Sequence, residues 1–374
     1  MKAITLKENF KKGLNIVEKI VGRNLTLPIL NNILLKADKN FIILMATNLE
    51  IGVKYWVLSK IEKEGSIVVP TKVLSTFISN ISDEKISITL KDKKIYLDAK
   101  NNKTFIKGLD PEEFPIIPDS ETKEFIELDS KAFCEAISSV LGFCSQNQSR
   151  RPEITGIYVN FKKDSVDIVA TDSYRLGEKN ILLKNPINSE FAFILPQRTA
   201  QELVNIFSLE DNLKIYYSPN HILFESMLLE VKNPKIHLNS TLIQGEYPNY
   251  KDIIPKNFKT KVTIDKDELL NQIKTAGIFT DKNNEMKFDV DSKKKGITIF
   301  SQNADIGENE SFIEALIEGE DLNICFNYRF LLEGLTNIKS KKISIELNGS
   351  DGPSIIRPVG DSSFIYLLMP IKNS

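Results

Sequence analysis

The chain alternates short apolar runs with polar turns, and two amphipathic stretches recur among these runs. Apolar and polar alternation predicts strands, and apolar residues spaced by three and four positions predict a helix. The first helix is predicted over 7–23, where Phe10, Leu14 and Val17 share one face. The second begins after Pro70, a residue favoured in a first helical turn. The strands of this first third are predicted at 2–6, 29–36, 41–46, 51–58, 65–69, 85–90, 95–98 and 104–108.

The same pattern returns twice further along the chain. A strand followed by a small residue, Thr and Asn or Asp occurs at Ala46-Thr47-Asn48 and Ala170-Thr171-Asp172, and more weakly at Ser301-Gln302-Asn303. A second landmark, the start of an apolar helical pattern, recurs at positions 70, 196 and 327. Both landmarks recur at an interval of about 125 to 130 residues, the size of a small domain and too long for a solenoid repeat. The sequence therefore predicts three tandem domains, here called copies one, two and three, at 1–125, 126–256 and 257–374.

Charge and composition narrow the class of protein. The 374 residues are 41% hydrophobic, enough for ordinary cores, and 49 Lys and Arg residues nearly balance 50 Asp and Glu residues. This balance argues against a uniformly basic nucleic-acid binder and leaves open a protein with segregated charges. No apolar run approaches the roughly 20 residues of a membrane helix, and the first residues lack the apolar core of a signal peptide. We therefore expect a soluble, cytoplasmic protein.

The sequence carries little of the chemistry that enzymes need. Cys134, Cys144 and Cys325 lack metal-ligand spacing and are expected to be free, buried thiols. The phosphate loop, the nucleophile elbow, the zinc-protease helix and the dinucleotide fingerprint are missing, and two histidines suggest no acid-base site. A catalytic site would depend on carboxylates such as Asp172, which is more readily interpreted as a turn-capping residue. We expect a binding protein without cofactor or metal; a carboxylate-based hydrolase at Asp172 remains a third hypothesis.

The last residues form an apolar run, from Phe364 to Ile371, close to the end of the chain. Chain ends are usually frayed and polar, so something should hold this run in place. A buried edge strand and an exposed binding surface are both consistent with the pattern.

Four motifs occur in a fixed order within the threefold repeat. They are Leu27-Pro28-Ile29-Leu30, Ala170-Thr171-Asp172-Ser173-Tyr174-Arg175-Leu176, Gly245-Glu246-Tyr247-Pro248 before Ile253-Ile254-Pro255, and Tyr366-Leu367-Leu368-Met369-Pro370-Ile371. With them the chain resembles, over essentially its whole length, the bacterial sliding clamps, the beta subunits of the replicative DNA polymerase. The resemblance implies an α+β fold of three clamp domains, each with two helices on the inside and antiparallel sheets on the outside.

The resemblance also implies a non-enzymatic function. Two copies of the chain would join head to tail as a homodimeric ring around double-stranded DNA, without sequence preference, and would tether the replicative polymerase as a processivity factor. Loading would need a separate ATPase, because the chain has no nucleotide-binding motif. The dimer joint is expected between an edge strand around 104–108 and copy three near Ile273. The alternative is a β-rich scaffold that binds peptides and does not encircle DNA.

The candidate DNA contacts are four basic residues and one glutamine. Those implied by the resemblance are Arg23, Lys72 and Gln148, to which we add Arg150 and Arg151 of the same polar loop as Gln148. Further cations on or beside the predicted helices are Lys12, Lys19, Lys131, Arg198, Lys266 and Lys274, among acidic residues such as Glu18, Glu135 and Glu202. A mixed lining of this kind attracts phosphates without reading bases, as sliding requires. Pro152 and Glu153 stand where some relatives have aromatic DNA contacts.

A second site implied by the resemblance is an apolar pocket between the second and third domains. It receives short linear motifs of polymerase, clamp loader and repair proteins. The matching positions are Ile154, Thr171, Ser173, Tyr174, Arg175, Leu176, Pro248, Ile253, Leu367, Leu368, Met369, Pro370 and Ile371. Asp252 stands where some relatives have a basic residue, so we expect the partner preference to differ.

Overall fold

The computed structural model describes residues 1–22, 27–120, 122, 124–147, 151–228 and 230–372. Within these ranges the helices are α1 (Lys7–Val17), α2 (Thr71–Asn80), α3 (Ser130–Val140), α4 (Gln197–Phe207), α5 (Lys266–Ala276) and α6 (Tyr328–Thr336). The strands of copy one are β1 (Lys2–Leu6), β2 (Asn32–Asp38), β3 (Phe41–Thr47), β4 (Ile51–Lys63), β5 (Gly65–Pro70), β6 (Lys85–Lys91), β7 (Lys94–Ala99) and β8 (Asn102–Lys107). Those of copy two are β9 (Ile126–Asp129), β10 (Gly156–Phe161), β11 (Ser165–Thr171), β12 (Arg175–Leu182), β13 (Phe191–Pro196), β14 (Asn212–Tyr217), β15 (His221–Leu228) and β16 (Asn233–Thr241). Those of copy three are β17 (Thr260–Asp265), β18 (Glu285–Asp291), β19 (Gly296–Asn303), β20 (Gly307–Glu314), β21 (Leu316–Gly319), β22 (Leu322–Asn327), β23 (Lys342–Leu347), β24 (Ser354–Pro358) and β25 (Phe364–Leu368).

These elements form two compact units whose boundaries differ from those of the sequence repeat. One unit contains Met1–Cys134 and Gln201–Leu242, and the other contains Glu135–Ala200 and Ile243–Ser374. The middle third of the chain therefore contributes to both units, because its strands pair with strands of the copies before and after it.

The first unit is built on one antiparallel sheet of twelve strands. Nine of them follow the order β8-β7-β6-β1-β4-β16-β15-β14-β9, and β3, β2 and β5 extend from β4 as a branch. The pairing of β4 with β16 joins copies one and two, with Gly52 opposite Asn239. Helix α1 packs on β4 through its buried residues Phe10, Leu14 and Val17, which confirms the apolar face predicted from the sequence.

The second unit contains two antiparallel sheets. The larger has nine strands in the order β13-β10-β11-β12-β25-β24-β23-β17-β21, and the smaller has the order β20-β19-β18-β22. Strand β25 lies between β12 and β24, so the apolar run at the end of the chain joins copies two and three. Helices beside antiparallel sheets give the α+β architecture that the sequence predicted.

The first predicted helix is shorter than expected. It ends at Val17, because the amide of Ile20 donates to the carbonyl of Val17 at 3.1 Å and tightens the next turn. The prediction extended further because Val21 continues the apolar spacing of Phe10, Leu14 and Val17. In the structure Val21 lies beyond the helix, after the turn that follows Val17.

The predicted strand at 29–36 also begins later than expected. Its first residues form a 3₁₀ helix, Pro28–Asn31, before β2 starts at Asn32. The Asn32 side-chain amide donates to the carbonyls of Pro28 and Ile29 at 3.0 and 3.2 Å. These hydrogen bonds stabilise a turn that the apolar residues alone do not reveal.

The described residues also bear on membrane insertion, metal binding and thiol chemistry. Among them, no helix has both the length and the apolar character needed to cross a membrane. In the same part of the chain, no three His, Cys, Asp or Glu side chains are grouped closely enough to bind a metal ion. All three cysteines are buried thiols outside any disulfide, as predicted. Burial raises the pKa of Cys134 and that of Cys144 to about 12, so neither is a reactive thiolate at neutral pH.

Candidate functional site

The second unit carries an apolar cluster on one face of its nine-stranded sheet. Tyr158 lies opposite Val169, and Leu176 lies opposite Leu367. Directly opposed residues of antiparallel strands share a face, so these strands present one apolar surface. The buried residues of the apolar cluster are Ile154, Val169, Leu176, Ile194, Tyr247, Tyr250 and Leu367. Ile154, Leu176 and Leu367, three of the residues listed from the resemblance, therefore pack together.

A tight turn connects β11 to β12 at the end of this surface. The Asp172 carboxylate accepts hydrogen bonds from the amides of Tyr174 and Arg175, both at 3.0 Å. The Thr171 hydroxyl donates to the Arg175 carbonyl at 2.7 Å and accepts from the Ser173 amide at 3.1 Å. Ser173 has φ 78°, a left-handed conformation that is rare for residues with a side chain. The side chains of Thr171 and Asp172 thus fix a turn that the backbone alone would disfavour.

Copy one contains the same turn between β3 and β4. The Thr47 hydroxyl donates to the Ile51 carbonyl at 3.0 Å, and Asn48 accepts from the amides of Glu50 and Ile51 at 3.0 and 2.7 Å. Leu49 has φ 77°, which matches Ser173. The repeat therefore extends to individual hydrogen bonds. Asn48 in copy one and Asp172 in copy two occupy the same position because each side-chain oxygen accepts from the same two turn amides.

The third landmark differs from these two turns. Strand β19 continues through Ser301-Gln302-Asn303 and pairs with β20, so this segment does not form the same turn. The Ser301 hydroxyl instead donates to the Ala276 carbonyl at 2.7 Å. The expected third copy of the turn is wrong.

The catalytic hypothesis for Asp172 also loses its basis. One carboxylate oxygen accepts the two turn amides, and the other accepts from Nε of Arg175 at 2.9 Å. A carboxylate held in this way caps a turn and is not presented to a substrate.

Removing the hydroxyl of Thr171 is expected to loosen the turn. Thr171→Val keeps the side-chain shape but leaves the Ser173 amide and the Arg175 carbonyl without this partner. The opening free energy of the turn should fall by about 1 to 3 kcal/mol. Hydrogen exchange of the Ser173 amide measures this change. Thr47→Val is the matched variant and should have the same effect at Leu49; an unchanged exchange rate in either variant would contradict the assignment.

Arg175 connects this turn to helix α6. Its guanidinium donates to Glu333 at 2.5 Å and lies over the ring of Phe330, 4.3 Å from the centroid. Burial opposes the positive charge, but Tyr366, Glu333 and Asp172 raise the pKa of Arg175 above its ordinary value. The charge is therefore paired inside the protein, where it holds the turn against copy three.

The end of the chain is fixed on the same surface. The Met369 amide donates to the Tyr174 carbonyl at 2.9 Å, and the Ile371 amide donates to the Cys325 carbonyl at 2.8 Å. Leu368 and Pro370 are buried, whereas the Met369 side chain is 36% exposed. The two explanations offered for the terminal apolar run are therefore both partly correct: the run is a buried central strand that ends in an exposed apolar side chain.

Three exposed apolar side chains lie two or three residues along the chain from members of the buried cluster. Tyr174 is 65% exposed, Ile253 is 50% exposed, and Met369 is the third. The Tyr174 ring lies 6.5 Å from that of Phe330, and Ile253 precedes Ile254, which packs on the cluster. We call Tyr174, Ile253 and Met369 the apolar rim. An exposed apolar rim around a buried cluster is a common feature of surfaces that receive apolar side chains of a partner.

The cluster also contains residues that the sequence analysis did not select. Tyr247 stacks on Tyr158 with 4.8 Å between ring centroids, and burial raises the pKa of Tyr247. Val169 lies on β11 and Ile194 on β13, the two strands that pair with β10. The alternation of apolar and polar residues along β10 and β11 could have indicated that their apolar residues are buried. It does not reveal which strands pair, so it could not identify the members of the cluster.

The candidate DNA contacts are only partly within the described residues. Arg23, Gln148 and Arg150 lie outside them. Lys72 is exposed on α2, and Arg151 is exposed in its loop.

The other cations of the helices differ in their surroundings. Those exposed on their helices are Lys12, Lys131, Arg198 and Lys274. Lys266 instead donates to the Ile338 carbonyl at 2.9 Å, and its side chain is only 15% exposed. The Lys266 ammonium group therefore has a hydrogen-bond partner within its own unit.

Each unit also has an open sheet edge with a distinct charge. Strand β8 is the last strand of the twelve-stranded sheet and carries Lys103, Lys107 and Phe105, which is 51% exposed. Strand β20 is the last strand of the four-stranded sheet and carries Phe312, 45% exposed, with Glu308, Glu310 and Glu314. An open strand edge can pair with another chain.

Strand β20 of copy three lies beside helix α5, which carries Ile273. Ile273 is completely buried on α5, so its side chain packs inside copy three, and a joint near this position stays a prediction. A buried α5 residue packs the helix onto its own sheet, and the exposed edge is β20.

Comparison with known proteins assigns the whole chain to one family. Residues 1–118, 127–249 and 251–372 match the N-terminal, central and C-terminal domains of the DNA polymerase III beta subunit. The beta sliding clamp of Synechococcus elongatus is 26% identical over 381 residues, which cover 100% of this chain and 99% of that protein.

Solved structures show the same fold. The DNA polymerase III beta subunit of Thermotoga maritima has a TM-score of 0.91 at 25% identity, and both chains are covered completely. The DNA polymerase sliding clamp of Bacillus subtilis has a TM-score of 0.93 at 24% identity, also with complete coverage of both chains. Each of the three copies matches one of the three consecutive domains of the beta subunit. The chain therefore belongs to the DNA polymerase III beta subunit family of sliding clamps.

Proposed function

We propose that this chain is a processivity clamp that encircles double-stranded DNA as a homodimeric ring and tethers the replicative polymerase. The match of the entire chain to the three beta subunit domains carries this proposal. The function is not enzymatic: the clamp raises processivity by topological linkage and by a high effective concentration of its clients. Opening and loading would be performed by a separate ATPase.

The two open sheet edges support a head-to-tail dimer. In such a dimer, β8 of one chain meets β20 of its partner, and each closed ring contains this joint twice. Lys103 and Lys107 would then face Glu308, Glu310 and Glu314, so the charges are complementary. Phe105 and Phe312 add apolar area that is exposed in the single chain.

Lys72, exposed on helix α2, and Arg151, exposed in its loop, support contact with the DNA backbone. We propose Arg23, Lys72, Gln148, Arg150 and Arg151 as DNA contacts. Lysine and arginine attract phosphates without reading bases, and a net charge of −1 avoids the tight local binding that would stop sliding. Double-stranded DNA of any sequence is the expected partner.

The apolar cluster with its rim is proposed as the peptide-binding surface for polymerase, clamp loader and repair proteins. Its proposed residues are Ile154, Thr171, Ser173, Tyr174, Arg175, Leu176, Pro248, Ile253, Leu367, Leu368, Met369, Pro370 and Ile371. Each leucine or phenylalanine that a partner buries there contributes about 1.5 to 3 kcal/mol. Short linear motifs are the expected ligands because they present a few such side chains within a small interface.

Domain limits and cellular location are part of the same proposal. We propose domains at 1–125, 126–256 and 257–374; the family matches, which begin at residues 1, 127 and 251, support this division. A protein that works on chromosomal DNA with a bacterial polymerase is expected in the cytoplasm.

Primer extension tests the tethering function. With a compatible clamp loader, ATP and the polymerase, the chain should lengthen the products made in one binding event on a long primed template. Product length with an excess of competing template measures this processivity. Products that remain short, although a control clamp lengthens them under the same conditions, would overturn the proposal and favour the peptide-binding scaffold.

A further inference from the structure

Two carboxylates are buried beside the apolar cluster. Asp167 on β11 is 2% exposed and Glu178 on β12 is 5% exposed. Glu178 lies opposite Val169 of the cluster, and Asp167 lies opposite Asn180, so both carboxylates share the face that carries Leu176. A buried carboxylate is costly unless cations or hydrogen-bond donors surround it.

The donors come from two different parts of the chain. Lys162 Nζ lies 2.6 Å from Asp167, and the Asn180 amide donates to Asp167 at 2.8 Å. Burial alone would raise the pKa of Asp167, but these hydrogen bonds and the charge of Lys251 lower it below its ordinary value. Lys251 Nζ lies 2.6 Å from Glu178 and 3.8 Å from Asp167. Lys251 therefore pairs directly with Glu178, and Lys162 also interacts with the Glu178 charge.

Lys251 belongs to the segment that carries one side chain of the apolar rim. It lies in the 3₁₀ helix Tyr250–Ile253, which ends at the half-exposed Ile253. Tyr250, the first residue of this helix, is buried in the apolar cluster, and its hydroxyl donates to Glu178 at 3.4 Å. The helix is thus attached to the sheet by one aromatic ring and by one buried carboxylate.

We propose that the Lys251–Glu178 ion pair positions Ile253 at the rim, which makes Lys251 and Glu178 positioning residues of the peptide-binding surface. This inference rests on the proposed function of that surface. Neither residue needs to contact the peptide: Glu178 is almost completely buried, and the Lys251 ammonium group is directed to the two carboxylates. Their effect reaches the peptide through the position of the 3₁₀ helix.

The physical reason is the cost of an unpaired buried charge. Buried ion pairs add little stability compared with apolar replacements, but removing one partner leaves the other charge uncompensated. Without the Lys251 cation, lifting of the 3₁₀ helix from the sheet would let water reach Glu178, and Ile253 would move with the helix. If both charges are removed, this driving force disappears, and Tyr250 still holds the helix in the apolar cluster.

A single variant and a double variant test the inference on the full-length protein. The probe is a short labelled peptide with a leucine and a phenylalanine, and a copy with both changed to alanine reports nonspecific binding. Lys251→Met should weaken binding of the probe about tenfold, and Glu178→Gln/Lys251→Met should restore it to within about threefold of the unaltered chain. Lys251→Arg, which keeps the charge, should bind normally. Lys256→Met, a lysine loss outside this ion pair, is the control and should also bind normally.

Hydrogen exchange supplies a readout that does not need the peptide. Amides of residues 251–254 should exchange faster in Lys251→Met and return toward the original rate in the double variant, while sedimentation shows an unchanged dimer. Unchanged binding and exchange in Lys251→Met would overturn the inference alone. A double variant that binds as weakly as Lys251→Met would also overturn it, because Lys251 would then act by direct contact. If the unaltered chain fails to bind the probe, the proposed peptide surface falls, and this inference falls with it.

Discussion

Met369→Asp is expected to abolish binding of short apolar peptides while the homodimer stays intact. The substitution removes an apolar side chain of the rim, worth about 1.5 to 3 kcal/mol when a partner covers it. It also places a carboxylate where the peptide would bury it without a cation, which adds a comparable or larger cost. Together these effects predict a loss of affinity of at least about 100-fold. Fluorescence anisotropy with a labelled peptide measures it.

The fold should tolerate this substitution. The Met369 side chain is 36% exposed, and the hydrogen bond that holds the residue uses its backbone amide and the Tyr174 carbonyl. Val359→Asp is the matched control, because Val359 is a 47% exposed apolar residue of the same unit that lies outside the rim. It should bind peptide normally. Dissociation of the dimer in Met369→Asp, or equal loss of binding in the control, would show that the residue has a structural role instead.

Charge reversal on β8 is expected to separate the dimer into single chains. In Lys103→Glu/Lys107→Glu, the edge of β8 would face Glu308, Glu310 and Glu314 of the partner's β20 with like charges. Like charges across an interface cost several kcal/mol, so the dissociation constant should rise by at least about 100-fold. Sedimentation velocity at low salt measures the fraction of dimer, because salt screens exposed charges.

Reversing the charges on β20 as well is expected to restore the dimer. Adding Glu310→Lys/Glu314→Lys to the same chain restores opposite charges at both joints of a head-to-tail ring, and the dimer should return. Lys85→Glu/Lys91→Glu makes the same charge change at the ends of the interior strand β6, and it should leave the dimer unchanged. A fourfold variant that stays monomeric would show that β8 and β20 do not meet.

Local patterns predicted the elements and the repeat well, because each depends on neighbouring residues. The Thr171-Asp172 sequence after an apolar strand predicts a capped turn, and the same chemistry at Thr47-Asn48 predicts its copy. Long-range pairing could not be predicted in this way. The alternation of β4 and of β12 does not reveal that their partners are β16 and β25, so the two compact units cross the boundaries of the sequence repeat.

The sites were predicted less well because the sequence does not show which side chains are buried or what buries them. Ile273 has the apolar spacing of a helix face, and the sequence does not distinguish a face on its own sheet from one on a partner. Asp167 and Glu178 are acidic residues that a sequence places at the surface, whereas here Lys162 and Lys251 neutralise them in a buried position. Their role at the rim depends on a contact between positions far apart in the chain.

Retention on closed circular DNA tests the clamp function most directly. After incubation with a compatible clamp loader and ATP, the protein should elute with intact circular plasmid in sizing chromatography and separate from it once the plasmid is linearised. Loss on linearisation shows that the link is topological, as the proposed ring requires. Equal retention on circular and linear plasmid, or no retention on either while the loader loads a control clamp, would contradict encirclement of DNA and favour the peptide-binding scaffold.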